Sequence, residues 1–157
     1  MKKKTKKIRY CLLCKNKKLK KIFSLGNLFV SNFVKENQVY KGIKAPLNLV
    51  FCNKCTLLQL SHIAPQELMY KRFYWYRSGV TKTMHDGLKD IFKSSLKFTS
   101  INKNDVVLDI GANDGTLLKF YKKRNFKTIG CEPAKNLTNS LKKNCDVVLN
   151  DFWSINK

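Results

Sequence analysis

The sequence predicts an α/β chain in two parts, a small four-cysteine β module followed by the start of a parallel sheet. Three observations predict it. Two Cys-x-x-Cys pairs, Cys11/Cys14 and Cys52/Cys55, stand 37 residues apart. An apolar run, Val106 to Ile110, leads into the glycine turn Gly111-Ala112-Asn113-Asp114-Gly115. From Asp105 to Leu149, strand-like and helix-like patterns alternate as β-α-β-α-β. That order is the mononucleotide-binding half of a doubly wound, Rossmann-like sheet. The expected division is 1–66 for the cysteine module and 67–157 for the α/β region, with the sheet expected to be truncated at Lys157.

The elements follow from local chemistry. Residues 1–10 form a basic lead-in, expected to fray. Short β-type runs cover 21–25, 47–51 and 57–60, and Gly26-Asn27 and Lys41-Gly42 read as turns. Strands this short cannot build a core alone, so a metal is expected to supply the missing stability. Pro65 opens a short helical turn through Tyr70. The aromatic stretch Phe73 to Tyr76 and Arg77-Ser78-Gly79 follow. Met84, Leu88, Ile91, Phe92 and Leu96 recur at helical spacing, which predicts a helix from about Thr81 to Phe98. Strands are expected at 106–110, 127–131 and 146–149, with helices at 116–123 and 134–143.

Composition narrows the class. An apolar fraction of 43% supports a core and argues against a disordered tail. No run of 18 apolar residues occurs, so no membrane span is expected, and Lys2-Lys3-Lys4 lack the apolar segment of a secretory signal. A cytoplasmic, reducing location follows, where paired cysteines favour metal over disulfides. The net charge of +22 has two readings, a solvated surface of biased composition or a polyanion-binding face. Nucleic acid is disfavoured: only Arg9, Arg72, Arg77 and Arg124 supply the planar fork that base and phosphate recognition prefers.

Four thiolates can surround one zinc ion at about 2.3 Å, and each Cys-x-x-Cys places two of them on one tight turn. Cys11, Cys14, Cys52 and Cys55 therefore read as a structural zinc site of the ribbon kind, although the gap exceeds the usual ~15–20 residues. Four protein ligands leave no open coordination position, so hydrolytic chemistry is not expected there. Cys131 reads as core packing, Cys145 has no evident role, and His62 and His85 read as surface or loop residues.

The glycine turn follows a strand and opens a helix, the context a nucleotide-binding turn requires. Gly111 can supply the tight bend, and Gly115 can let the next helix pack close. The helix start offers free N–H groups. Glu132, 21 residues after Gly111, ends the second strand, where an acid can accept hydrogen bonds from both ribose hydroxyls; a solvated carboxylate before Pro133 is the alternative. Asn113-Asp114 occupies the place of a pyrophosphate-binding glycine, which disfavours a dinucleotide and suits S-adenosylmethionine (SAM). Asp109 could face the methionine ammonium of that ligand or act as a helix cap.

These residues resemble the SAM-dependent C-methyltransferases of deoxysugar biosynthesis, which carry an N-terminal zinc-binding domain. Cys11-Leu12-Leu13-Cys14 resembles the first knuckle of that family, and Pro46-Leu47 with Cys52 to Leu60 resembles the second. Thr56 stands where the family has glycine, so strain is expected at that turn. The stretch Leu25 to Phe33 is similar to the family's Gly-x-x-Pro-Leu-Ala-Asn-x-Phe, with Phe29 in place of proline and Phe33 one position early. Tyr74 to Gly79 resembles its Tyr-x-Tyr-x-Ser segment, Ile110 to Leu118 its SAM turn, and Gly130-Cys131-Glu132-Pro133 its ribose-binding end.

The resemblance implies methyl transfer to a carbon of a nucleotide-linked keto-sugar, with zinc in a structural role. It implies cofactor contacts from Asp109, Gly111, Asn113, Asp114, Gly115 and Glu132. Tyr76 and Ser78 either border that pocket or belong to an aromatic cluster at the domain seam. The family's Tyr/Glu/His acid–base cluster has no matching positions here, so the catalytic residues are unknown and a second chain supplying the missing half is a conceivable partner. The competing class is a zinc-ribbon nucleic-acid-binding module with a degenerate α/β extension, motivated by the charge.

Overall fold

The structure is a computed structural model that describes residues 5–30, 35–102 and 104–154. The lysines at 2–4 and the Ser31–Phe33 end of the family-like stretch lie outside the described residues. The chain divides into two compact units between Met69 and Tyr70.

The first unit is an antiparallel β module. Strand β1 (Lys6–Lys7) pairs with β5 (His62–Ile63), and β2 (Leu19–Phe29), β3 (Lys44–Cys52) and β4 (Leu58–Leu60) form a sheet in that order. The register sets Leu19 opposite Cys52 and Phe51 opposite Leu58. The turn expected at Gly26-Asn27 is not a turn between elements. β2 runs through it for 11 residues, with a bulge between Ser24 and Asn27 where Gly26 takes φ +74°. The bulge inserts an unpaired residue without ending the ladder, so a turn-type dipeptide marked an irregularity inside a strand.

Among the described residues of this unit few apolar side chains are buried. Ile8, Val50, Cys11 and Cys52 are, while Ile22, Phe23, Leu25, Leu28 and Phe29 along β2 stay about half exposed. The burial centres on the cysteines, as expected of a module whose stability depends on metal.

The second unit starts with irregular chain and then α1 (Lys82–Phe98). Thr81 caps it, its hydroxyl accepting the Met84 N–H at 3.4 Å. The predicted apolar face is only partly used. Phe92 is buried against Phe120 and Tyr121, and the Ser95 and Tyr121 hydroxyls bond at 2.6 Å. Met84 and Ile91 remain exposed. Position 91 is about 100° around the helix from Phe92, so the contact stripe is narrower than the apolar pattern.

The parallel sheet has the expected form. Strands β6 (Val106–Ile110), β7 (Lys127–Cys131) and β8 (Val147–Leu149) lie in that order, all parallel. Helix α2 (Thr116–Lys122) links the first pair; a short 3-10 turn (Lys135–Leu137) and α3 (Thr138–Asn144) link the second. Both helices pack on one face, where Ala112, Leu118, Leu141 and Cys145 form a core joined by Val107 and Val148. On the opposite face Val106, Leu108, Ile110 and Val147 are 40–55% exposed. Among the described residues no helix is long and apolar enough to cross a membrane.

Candidate functional site

The cysteine pairs converge. The four sulfurs of Cys11, Cys14, Cys52 and Cys55 lie within 4.8 Å of one another, with Cys11 to Cys55 at 3.4 Å and Cys14 to Cys52 at 3.5 Å. Those separations are too long for disulfides. Four sulfurs at ~2.3 Å from one zinc ion would stand roughly 3.8 Å apart, so the cluster fits the ion.

The two knuckles are built alike. Lys15 N–H donates to the Cys11 carbonyl at 3.0 Å and Thr56 N–H to the Cys52 carbonyl at 2.8 Å. In return, Cys11 N–H reaches the Asn16 carbonyl and Cys52 N–H the Leu57 carbonyl. Lys15 and Thr56 both take φ +61°, the left-handed conformation that closes each knuckle. For the β-branched Thr56 this is a costly conformation.

The thiols are polarised against each other. Burial pushes the Cys52 thiol up, but Asn16 Nδ2 and the backbone N–H groups of Cys55 and Lys54 donate to its sulfur and hold it at about 6. At Cys55 the Leu57 N–H lowers the value, and burial with the three facing thiols outweighs that and pushes it up to about 12. Four thiolates this close cannot all carry charge without a cation between them.

One residue the sequence reading passed over holds the cluster in place. Gln59 of β4 is buried; its Oε1 accepts the Leu12 N–H at 2.9 Å, and its Nε2 donates to the Tyr10 carbonyl at 3.1 Å. It ties the first knuckle to the sheet that carries the second. The only sequence signal was a polar residue between two leucines of a short strand.

In the second unit, Gly111 takes φ +82°, and its N–H donates to the Cys131 carbonyl at the end of β7 at 2.8 Å. A Cβ built there would meet nothing within 4 Å, so the space beside it is open. Gly115 differs. It also takes a positive φ, +79°, but a Cβ there would stand 2.8 Å from Asn144 Cβ and 2.9 Å from Leu141 Cδ1. Its role is to let α3 pack against the turn; the expected close packing was of the next helix, α2, and the tight contact falls one helix later.

Glu132 is buried, at 6% exposure. Its Oε2 accepts the Asn113 N–H at 3.0 Å and its Oε1 the Ala134 N–H at 2.8 Å. The carboxylate is thereby fixed between the β6 and β7 loops, and each oxygen keeps a further lone pair. Asp109 is half-buried, and its carboxylate has no hydrogen-bond partner among the described residues. Burial and the nearby Glu132 charge push its pKa up. A cationic group beside it would relieve that penalty.

Asn113 and Asp114 direct their side chains elsewhere. Asn113 Oδ1 accepts the Ser78 N–H at 3.0 Å, and its Nδ2 donates to the Tyr76 carbonyl at 3.1 Å. Asp114 Oδ2 accepts the Gly79 N–H at 2.8 Å, while its Oδ1 takes the Thr116 N–H and hydroxyl. The structure thus brings Ser78 and the Tyr76 backbone against the turn and leaves the Tyr76 ring exposed. Cys131 and Cys145 are core residues, and neither His62, bonded to Ser61 Oγ, nor His85, edge-on to the Phe120 ring, joins a metal cluster among the described residues.

The fold and these two sites define a zinc-type β module followed by a Rossmann-like parallel sheet with a glycine turn after its first strand. Residues 11–70 match a family model described as "Putative zinc binding domain". The chain is also similar to the C-methyltransferase NovU of Streptomyces niveus, at 22% identity over 92 residues, which is 59% of this chain and 22% of that protein. The chain spans less than a quarter of that relative's length in the matched region. The two findings support a link at the level of the SAM-dependent methyltransferase superfamily and single out neither one enzyme nor one substrate.

Proposed function

We propose that this chain is the zinc-stabilised, cofactor-binding portion of a SAM-dependent C-methyltransferase that acts on a nucleotide-linked keto-deoxysugar. The observation that carries the reading is the pairing of open space beside Gly111 with Glu132, fixed by the two loops that flank it. In this reading the remaining lone pairs of Glu132 accept the two ribose hydroxyls, and Gly111 admits close approach of the ligand to backbone. Asp109 receives the ammonium of the methionine moiety, which explains why an acid is kept half-buried with no hydrogen-bond partner among the described residues. Ser78 and Tyr76 border the same pocket. Bound SAM would supply an electrophilic methyl group for a carbon nucleophile formed next to a ketone. No residue of this chain is assigned as the base for that step. Cys11, Cys14, Cys52 and Cys55 hold zinc in a structural role, and the catalytic groups come from outside the stretch described, in this or a second chain.

The test is calorimetric titration of the zinc-loaded protein with S-adenosylhomocysteine (SAH). Glu132→Ala should weaken binding by roughly 1–3 kcal/mol, the worth of hydrogen bonds to a charged group. Unchanged affinity in that variant would remove the ribose assignment. Absence of binding to the wild type, with salt-sensitive binding to DNA or RNA instead, would favour a nucleic-acid module.

A further inference from the structure

The segment from Tyr74 to Gly79 has no regular secondary structure, yet its backbone is held by five hydrogen bonds from side chains of the connections after β6 and β7. Asn136 makes a two-bond clamp on Tyr74: its Oδ1 accepts the Tyr74 N–H at 2.9 Å, and its Nδ2 donates to the Tyr74 carbonyl at 3.0 Å. Asn113 repeats the pattern two residues on, taking the Ser78 N–H and giving to the Tyr76 carbonyl. Asp114 closes the series at the Gly79 N–H. Gly79 is there because a Cβ would stand 2.5 Å from Thr116 Oγ1 and 3.0 Å from Asp114 Oδ2. Carboxamides that donate and accept together imitate a neighbouring β-strand, so the segment is docked as a strap without belonging to a sheet.

Two features suggest that this docking serves a purpose beyond packing. The strap is bonded through its backbone, which leaves Trp75, Tyr76 and Arg77 exposed. The residue at its centre, Asn113, also gives its own N–H to Glu132. One residue therefore joins the strap to the carboxylate assigned to the ribose. Asn113 takes φ +53°, a conformation that asparagine tolerates better than most residues.

We infer that Asn113, Asp114 and Asn136 are positioning residues that dock the Tyr74–Gly79 strap against the turn, and that strap docking and ligand occupancy at Glu132 stabilise each other. The coupling rests on the cofactor reading above; the docking does not. A ligand that fixes Glu132 fixes the N–H of Asn113 and so favours the conformation in which its side chain grips the strap. Reciprocity then requires that release of the strap weaken the ligand.

An arginine-specific protease tests this on the full zinc-loaded chain, which offers bonds after Arg9, Arg72, Arg77 and Arg124. The Arg77–Ser78 bond contains the N–H that Asn113 holds, and cleavage at Arg124 serves as the internal reference. Asn113→Gly removes the side chain while keeping a residue suited to positive φ, and Asn136→Ala releases the strap without altering the turn. Both should speed cleavage at Arg77 on the order of tenfold relative to Arg124. SAH should slow that cleavage in the wild type and not in Asn113→Gly, and Asn136→Ala should bind SAH several-fold more weakly. Unchanged cleavage at Arg77 in both variants overturns the docking. Faster cleavage with SAH affinity unchanged in Asn136→Ala overturns the coupling. A wild type that binds no SAH overturns the cofactor reading and the coupling with it, while the ligand-free cleavage rates still decide the docking.

Discussion

Two glycines of one turn share a backbone conformation and should answer the same mutation in opposite ways. At Gly111 and Gly115 φ is +82° and +79°, so alanine at either position carries a conformational cost of about 1–2 kcal/mol. At Gly111 nothing lies within 4 Å of the added methyl, so that cost is the whole of it. For a unit of this size, 1–2 kcal/mol lowers Tm by roughly 4–16 °C. At Gly115 the methyl meets Asn144 Cβ at 2.8 Å and Leu141 Cδ1 at 2.9 Å, with Leu141 Cα at 3.5 Å behind them. Leu141 is fully buried in the core, so it has little room to yield. Overpacking of this kind adds about 1–3 kcal/mol, which brings the total to about 2–5 kcal/mol. A domain stable by only ~5–15 kcal/mol would lose a large share of its stability. Ligand binding should reverse the order. Gly111→Ala places a methyl in the space assigned to the cofactor and should abolish SAH binding in a protein that still folds. Gly115→Ala should retain binding to whatever fraction remains folded. Urea unfolding followed at the sheet, paired with SAH titration, reads both quantities. Equal destabilisation by the two variants would refute the packing argument, and full SAH affinity in Gly111→Ala would refute the location of the ligand.

Removal of zinc by a strong chelator should unfold the first unit and leave the parallel sheet intact, visible as lost amide protection in β2 to β4 with protection kept in β6 to β8. Acidification should release the metal, because zinc binding requires four thiolates and protons compete for each of them; a metal-sensitive dye should report release without prior unfolding of the sheet. Thr56→Gly should stabilise the zinc-loaded module by about 1 kcal/mol, because φ +61° is costly for a β-branched residue and free for glycine; an unchanged denaturation midpoint would remove the strain. Asp109→Asn should stabilise the ligand-free protein at neutral pH and weaken SAH binding. The folded-state pKa of Asp109 is raised, so its ionised form costs stability at pH above that value, and the cost fades as pH falls and the carboxyl protonates in both states. The stability gain of the variant should therefore shrink toward acid pH; a pH-independent gain would contradict the burial argument.

Much of this was legible because the decisive signals are local. A Cys-x-x-Cys pair states its own turn, and Val106 to Ile110 followed by Gly111 states its own strand and bend. The strands expected at 106–110 and 127–131 have those bounds. The resemblance implied strain at Thr56, which stands where the family has glycine, and its φ of +61° agrees. Local signals also misled where one residue type serves two purposes. Gly26-Asn27 reads as a turn in any window of a few residues, and only pairing with β3 reveals a bulge within a continuous ladder.

The rest was illegible for a common physical reason: it depends on polar side chains that satisfy backbone groups far away in sequence. Gln59 reaches Leu12 across 47 residues, Asn136 reaches Tyr74 across 62, and Asn113 reaches Ser78 across 35. An amide side chain in a strand or loop reads as solvated polarity, because nothing near it in the chain shows that it will be buried. Burial of irregular backbone, however, leaves N–H and C=O groups that must be paired, and a carboxamide is the side chain able to pair both at once. The sequence places Asn113 where a pyrophosphate-binding glycine would stand, which pointed to the choice of ligand. The structure gives that asparagine a structural role in the same place. Its left-handed backbone makes the turn, its N–H meets Glu132, and its carboxamide holds the strap. Glycine could supply the first two of these and not the third, so the departure from a dinucleotide turn is accounted for by the chain segment that the turn must hold.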